Sequence, residues 1–232
     1  KVLDIGCGSG ETSFRASELV GNNGRVMGAD ISKTLLNFAK SKSFKRDNLD
    51  FSICDVQNYK FKANNFDKVI SRFGVMFFKN PIEAFRNIKF SMKTNGSLNF
   101  VCWSKIEEND FFYEGLEMIA KYAEKSLPPI TKNPGPFAFS EKEYVENILK
   151  KSGFRDIKID TVYTSIATKD NVEKDAEMML NMGPRSQILS EANLSSEKMF
   201  TIRTKIKEVC KTKQKNGKIT YKACLNYVSA IK

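Results

Sequence analysis

The 232-residue chain contains no histidine. That removes the side chain most often used to move protons near neutral pH and the commonest zinc ligand. Its five cysteines, Cys7, Cys54, Cys102, Cys210 and Cys224, include no C-x-x-C pair. Neither a metal site nor a disulfide framework is expected from that spacing, and a reducing, cytoplasmic setting is. The longest apolar run, "FGVMFF" at 73–78, is far too short to span a bilayer. No Gly-Lys-Ser/Thr triplet is present, which excludes a Walker loop. The Asn/Asp-Pro-Pro-Tyr tetrapeptide of amino-methylating enzymes on nucleic acids is missing too: Asn80-Pro81 is followed by Ile82 and Glu83. There is no internal repeat and no low-complexity tract.

What remains is the composition of a folded globular protein, with 41% hydrophobic and 28% charged residues, long enough for one full-sized domain carrying large insertions. The net charge of +11 is the outlier. Much of it sits between Glu197 and Lys222, where nine Lys or Arg face two Glu, a net of +7. Met199, Ile202, Ile206 and Val209 recur there at helical spacing, so the segment reads as an amphipathic helix with a solvated, lysine-rich face. An aromatic ladder for stacking bases is not expected in it. Nucleic acid or another acidic partner is therefore an open but disfavoured reading.

Strand and helix patterns alternate through the first hundred residues. Strands are expected at 1–5, 25–30, 49–55, 66–73 and 97–103, with helices opening at Glu11, after the cap Ser32, and after Asn80-Pro81 with Glu83 completing the cap. Parallel strands joined by such crossovers make a doubly wound α/β sheet. The rhythm then breaks. A helical stretch "ENDFFYEGLEM" and a proline-rich loop fill 104–139, Ser140 with Glu143 reads as a capping box for the next helix, and alternating strands are expected at 154–167 and 218–231. Between them lies a helical segment broken at "MGPR" (182–185). The expected organisation is a single domain over 1–232, with a core of 1–103, 140–168 and 217–231 and substrate-side insertions at 104–139 and 169–216.

The first strand runs into "GCGSG". Glycines between a strand and a helix let backbone N–H groups approach a ligand without Cβ interference, beside the positive end of a helix. The dinucleotide fingerprint G-x-G-x-x-G is met at Gly6 and Gly8, but its third position falls on Glu11, the glycine coming one residue early at Gly10. Asp30 ends the second strand, where a carboxylate can accept from both hydroxyls of a ribose. Asp55 ends the third, where it can accept from an exocyclic amine. Singly, an acid that ends a strand is more often a helix cap or a turn residue than a ligand contact. Together they lie at adjacent carboxyl strand ends, where open α/β sheets bind ligands.

"VLDIGCGSG", "GADIS", "CDV", "FDKVISRFGVMFF", "FVCWS", "PGPFAFSEKEYVENILKKSGF" and "GKITYKACLNYVSAI", in that order, resemble the class I S-adenosylmethionine-dependent methyltransferases, in particular the ubiquinone/menaquinone-biosynthesis-like group (methyltransferase domain 11/25 type). The resemblance implies a Rossmann-like seven-stranded sheet of order 3-2-1-4-5-7-6 with the last strand antiparallel, and S-adenosyl-L-methionine as cofactor. It implies further that helices carried by relatives before the first strand are missing ahead of Lys1. By the same resemblance Gly6, Cys7, Gly8 and Gly10 pass under the methionine and ribose, and Asp4 reaches the methionine amino group. Asp30 takes the ribose, Ile31 lies on adenine, Asp55 and Val56 meet the adenine edge, and Ser71 flanks the methionine tail. A "Leu-Lys-Pro-Gly-Gly" turn usual in the family is replaced by "MKTNGS" at 92–97.

Aromatic and apolar residues, of which Phe73, Met76, Phe77, Trp103 and Phe137 are the substrate-side candidates, suggest a small apolar or aromatic methyl acceptor; each also reads as ordinary packing. Glu107, Glu108, Asp110 and Tyr113 can titrate, but nothing in their spacing selects a base, so no catalytic residue is assigned. Two alternatives stay open: an NAD(P)-binding oxidoreductase, and a non-catalytic module of the same fold that binds through the basic 197–222 segment.

Overall fold

The structure, a computed structural model, describes residues 1–43, 46–169 and 171–232; Asp170, inside the expected second insertion, lies outside the described residues. The chain divides into two compact units.

The first unit comprises Lys1–Cys102, Lys132–Thr161 and Asn226–Lys232. It begins with β1 (Val2–Ile5), α1 (Glu11–Val20), β2 (Val26–Asp30), α2 (Lys33–Lys42), β3 (Leu49–Ile53) and β4 (Phe66–Arg72). After these come α3 (Pro81–Ser91) and β5 (Met92–Trp103). β1 pairs in parallel with β2 and β4, placing Asp4 beside Gly28 and Ile70. The β2–β3 register puts Asp30 level with Ile53, so the ends of β1 to β4 come out on one edge. Val2, Ala16, Val26 and Leu49 pack one face, joined by Phe14, Phe51 and Ile70. Phe85 touches Phe100, Phe139 and Phe154 at ring separations of 5.7, 6.2 and 6.3 Å. Burying each such ring stabilises by about 2–3 kcal/mol.

Local chemistry sets the boundaries. Ser32 Oγ accepts from Leu35 N–H at 3.3 Å and Asn80 Oδ1 from Glu83 N–H at 3.4 Å, with Pro81 in the first turn, as expected of N-caps. β4 stops one residue early because Phe73 takes φ +62. β5 starts at Met92, not at 97: Asn95 at φ +60 lets "MKTNGS" enter the strand through a register shift opposite Phe66 and Lys68. The capping box at Ser140 does not form. Helix α6 (Lys142–Lys151) opens at Glu141, whose carbonyl accepts the first helical bond from Val145, and no side chain caps it.

The second unit comprises Trp103–Thr131 and Val162–Leu225. It holds α4 (Asp110–Tyr113), α5 (Leu116–Ala123), α7 (Val172–Asn181), α8 (Gly183–Glu191), α9 (Ser196–Thr212) and the two-residue β7 (Gln214–Lys215). The helix expected over "ENDFFYEGLEM" is broken at Gly115, whose φ is +76 and where a Cβ would lie 2.5 Å from Ile206 Cδ1. The second insertion is three helices, with a break at 192–195 in addition to the one at Met182. Arg185, 0% exposed, donates to the carbonyls of Met179, Glu114 and Phe111 at 2.6, 2.9 and 2.5 Å. Lys213 bridges Asp110 and Glu114, both at 2.7 Å. Phe200 is 71% exposed on α9, a single aromatic and not a ladder.

Strands β6 (Arg155–Lys169) and β8 (Lys218–Ile231) complete the sheet, whose order is β3-β2-β1-β4-β5-β8-β6, the last strand running antiparallel. Among the described residues the strands number eight instead of the expected seven, because β7 forms a hairpin with the start of β8.

Candidate cofactor cleft

A cleft of about 770 Å³ opens where β1 to β4 end. Its wall includes Gly6, Gly8, Asp30, Ile31, Asp55, Val56, Phe73 and Phe77, all expected from sequence. The loop after β1 is held open by backbone geometry: Gly6, Gly8 and Gly10 have φ of +63, +53 and +86, a region costly for residues with a Cβ. Their roles differ. A Cβ on Gly6 would lie 2.6 Å from Gly74 Cα, so this glycine lets two loops cross. A Cβ on Gly8 would meet only Leu35 Cδ1 at 3.8 Å, leaving its backbone open to the cleft.

Gly10 and Cys7 are not part of the cleft wall. A Cβ on Gly10 would lie 2.9 Å from the Phe51 ring and 3.1 Å from Phe14 and Ala39, so it permits the close helix-to-sheet packing that the third fingerprint glycine supplies elsewhere. Cys7 is buried with its Sγ toward Gly28, and burial pushes its thiol up to about 12. Ser71 is buried as well. It donates to Ile5 carbonyl at 2.8 Å and accepts from Gly74 N–H at 3.2 Å, clipping the Gly74 turn against the end of β1.

Asp30 is already engaged by the protein: Oδ2 accepts from Gly8 N–H and Oδ1 from Ser32 N–H, each at 2.8 Å. Each carboxylate oxygen keeps further lone pairs for a ligand. Asp55 accepts from Gln57 N–H at 3.0 Å and from Asn58 Nδ2 at 3.0 Å, an Asx turn that fixes its carboxylate at the rim. Val56 is held by Asn87, whose Nδ2 donates to its carbonyl at 2.7 Å.

Asp4 lies behind the loop and is 0% exposed. Its Oδ2 accepts from Ser13 Oγ at 2.6 Å, while Oδ1 is buried with no hydrogen-bond partner among the described residues. Burial raises its carboxyl to about 7, against the opposing pull of Ser13 and the Arg72 guanidinium. An orphaned buried acceptor of this kind is costly unless a ligand or water meets it.

Of the substrate-side candidates, Met76 is buried beneath the wall, its carbonyl accepting from Gly135 N–H at 3.1 Å, and Phe137 is buried too. Trp103 belongs to the second unit, where its ring meets Phe112 edge-on at 5.1 Å. Three of the four titratable candidates of the first insertion have partners within that unit: Glu108 accepts from Ser104 and Tyr163, Tyr113 donates to Glu117, and Asp110 holds Lys213. The sequence reading missed Leu35, Gln57, Asn58, Gly74, Phe78, Lys79, Asn80 and Glu83 on the cleft wall. Gln57 and Asn58 follow the pair Asp55-Val56 directly, and Gln57 Oε1 accepts from Asn80 N–H at 2.9 Å, tying that turn to the start of α3. Adjacency to two expected strand ends was the signal that could have found them.

Residues 1–153, which contain every residue of this cleft, match the family described as "Methyltransferase domain". The chain belongs to that family. Its members are the S-adenosylmethionine-dependent class read from the motifs, and the cofactor is S-adenosylmethionine. The methyltransferase is 25% identical over 169 residues to demethylmenaquinone methyltransferase of Staphylococcus epidermidis, 68% of each chain. With the Staphylococcus aureus protein of the same name it shares 24% over 194 residues, 75% of this chain and 79% of that one. Its fold is shared with YcgJ of Bacillus subtilis, with a TM-score of 0.61 at 16% identity, covering 100% and 91% of the two chains. It is also shared with phosphoethanolamine N-methyltransferase 2 of Haemonchus contortus in complex with S-adenosyl-L-methionine, with a TM-score of 0.57 at 20% identity. That match covers all of this methyltransferase but 48% of the longer protein. Among the described residues no helix is long and apolar enough to cross a membrane, and no group of three potential metal ligands occurs.

Proposed function

We propose that the methyltransferase binds S-adenosylmethionine across the ends of β1 to β4 and moves its methyl group to a small apolar or aromatic acceptor. The observation that carries this reading is the convergence of Gly6, Gly8, Asp30 and Asp55 on one cleft, with the orphaned carboxylate of Asp4 behind it. Those residues fit the cofactor's chemistry. Asp30 accepts from the ribose hydroxyls, Asp55 and the Val56 backbone meet the adenine edge, and Ile31 and Leu35 cover the ring face. Gly8 leaves room for the sugar, and Asp4 supplies negative charge toward the cationic amino-acid end. When bound, the cofactor supplies an electrophilic methyl group on a sulfonium, open to in-line displacement.

The chain's part is then positional. The turns at Asp55 and Gly74 hold the wall rigid, and orienting two reactants this way supplies much of the acceleration in such reactions. Phe73, Phe77 and Phe78 give the wall an apolar side that excludes water. With no histidine in the sequence and no catalytic base assigned, the acceptor brings its own nucleophilicity, as a phenolate, an amine or an activated ring carbon does. The relatives named for demethylmenaquinone support an aromatic ring as acceptor. Five free, buried thiols support a cytoplasmic setting.

Transfer of labelled methyl from S-adenosylmethionine is the test. Incorporation into a reduced naphthoquinone, with little into phosphoethanolamine, is expected. Incorporation into the phosphorylated amine alone overturns the apolar acceptor, and NADH binding without any S-adenosylhomocysteine binding overturns the cofactor assignment.

A further inference from the structure

The second unit carries a surface that the cofactor cleft does not use. Helix α9 packs on α7, and two ion pairs set their direction: Arg203 meets Glu177 and Lys207 meets Glu173, so the helices run antiparallel. The register brings the end of α7, with exposed Met178 and Met182, level with the first turns of α9 and its exposed Phe200. Along α9, exposed Phe200, Thr204 and Lys211 follow one another at helical spacing. About 16 Å separates Phe200 from Lys211 along the axis. In the chain α9 is followed by the β7–β8 hairpin, turned by Asn216 and Gly217 at φ +52 and +69.

The hairpin holds the unusual charge. Lys215 and Lys218 are cross-strand partners, and like charges directly opposite each other destabilise a hairpin. Among the described residues neither forms an ion pair, nor does Lys211 nearby in sequence. By contrast Lys198, Arg203, Lys207 and Lys213 are all neutralised by carboxylates of this unit. Two acids of α9, Glu197 and Glu208, are exposed beside these residues as well. Lysines 211, 215 and 218 therefore make a cationic end at the close of α9 and the hairpin, and Phe200 with the two methionines at the end of α7 makes an apolar end.

We propose that α9 and the β7–β8 hairpin form a peripheral docking surface for an anionic lipid bilayer. The helix lies in the plane of the headgroups, with Phe200, Met178 and Met182 entering the acyl boundary and Lys211, Lys215 and Lys218 on lipid phosphates. The apolar face of α9 itself, Ile202, Ile206 and Cys210, is buried within the unit, so it is the exposed aromatic and methionines together with the lysine cluster that would meet acyl chains and lipid phosphates. A nucleic-acid groove needs its aromatics among the cations, which is not the arrangement here. The surface stands independently of which acceptor the enzyme methylates.

Vesicle co-sedimentation of the full chain tests this. Phosphatidylglycerol-containing vesicles should carry the protein down at low salt, phosphatidylcholine vesicles should not, and added salt should release it. A variant with K211E, K215E and K218E should bind about a hundredfold more weakly, roughly fivefold per lysine from neutralisation alone. Phe200→Ser alone should weaken binding severalfold. All four positions are exposed, so S-adenosylhomocysteine affinity should not change, which separates this proposal from that of the cleft. Equal recovery with both vesicle types, no recovery with either, unchanged binding in both variants, or a stronger preference for RNA than for the anionic vesicles overturns it.

Discussion

The backbone N–H of Gly8 donates to Asp30 Oδ2 across 2.8 Å, joining the glycine loop after β1 to the acid that ends β2. The loop is thus shaped by the carboxylate proposed to hold the ribose, and one substitution disturbs both. Asp30→Asn keeps the size but removes the charge and one acceptor. S-adenosylhomocysteine affinity is expected to fall roughly ten- to a hundredfold, since hydrogen bonds to charged groups are worth about 1.5–3 kcal/mol. Isothermal calorimetry reads this directly, and an unchanged affinity removes Asp30 from the site.

The glycines should separate by role. Gly6→Ala drives a Cβ to 2.6 Å from the Gly74 backbone at φ +63, and should destabilise the fold by about 3 kcal/mol. Gly8→Ala meets nothing nearer than 3.8 Å, so it should cost only about 1–2 kcal/mol of backbone strain while impairing cofactor binding. Paired thermal melts and titrations check the contrast; equal melting of the two variants contradicts it.

Asp4 makes a pH prediction. Its folded carboxyl is raised by burial to about 7, above the ordinary value of 3.8. Between those values the folded state holds a proton that the unfolded state has lost. The protonated acid's advantage is therefore present at low pH and disappears as pH rises toward 7. Asp4→Asn should become progressively more stable relative to wild type from pH 4 to 7, then hold level. The sign for ligand binding is opposite: a cationic amino-acid end favours the ionised acid, so S-adenosylhomocysteine affinity should drop below about pH 7 in wild type and not in Asp4→Asn. Proton release measured in buffers of different ionisation enthalpy checks the coupling.

Arg185 satisfies three carbonyls of the second unit and, among the described residues, forms no ion pair with a carboxylate. Arg185→Met should leave those acceptors orphaned and cost about 3 kcal/mol or more, while Arg185→Lys, with a single compact ammonium, should recover little of it. Limited proteolysis should cut within 103–131 or 162–225 first.

What the sequence disclosed and what it hid divide along physical lines. The alternating strands, the Ser32 and Asn80 caps and the convergence of Gly6, Gly8, Asp30 and Asp55 follow from local patterns and from the parallel topology those patterns force. Gly10, Cys7 and Ser71 are different. They lie next to the cleft residues in sequence or in the sheet, but their side-chain or Cβ positions serve packing, against Phe51, Gly28 and Ile5 respectively, and a motif cannot tell a ligand contact from the support beneath it. The break at Gly115 and the failed cap at Ser140 depended on tertiary neighbours. So did the early start of β5, which needed a left-handed Asn95 to be tolerated.

The most direct measurement is the crystal structure of the methyltransferase grown with S-adenosylhomocysteine. The account predicts density for an adenosyl group whose ribose oxygens lie within hydrogen-bond distance of Asp30, over the open backbone of Gly8. A saturated crystal with the nucleoside bound elsewhere, or with Asp30 still contacting only Gly8 and Ser32, contradicts it.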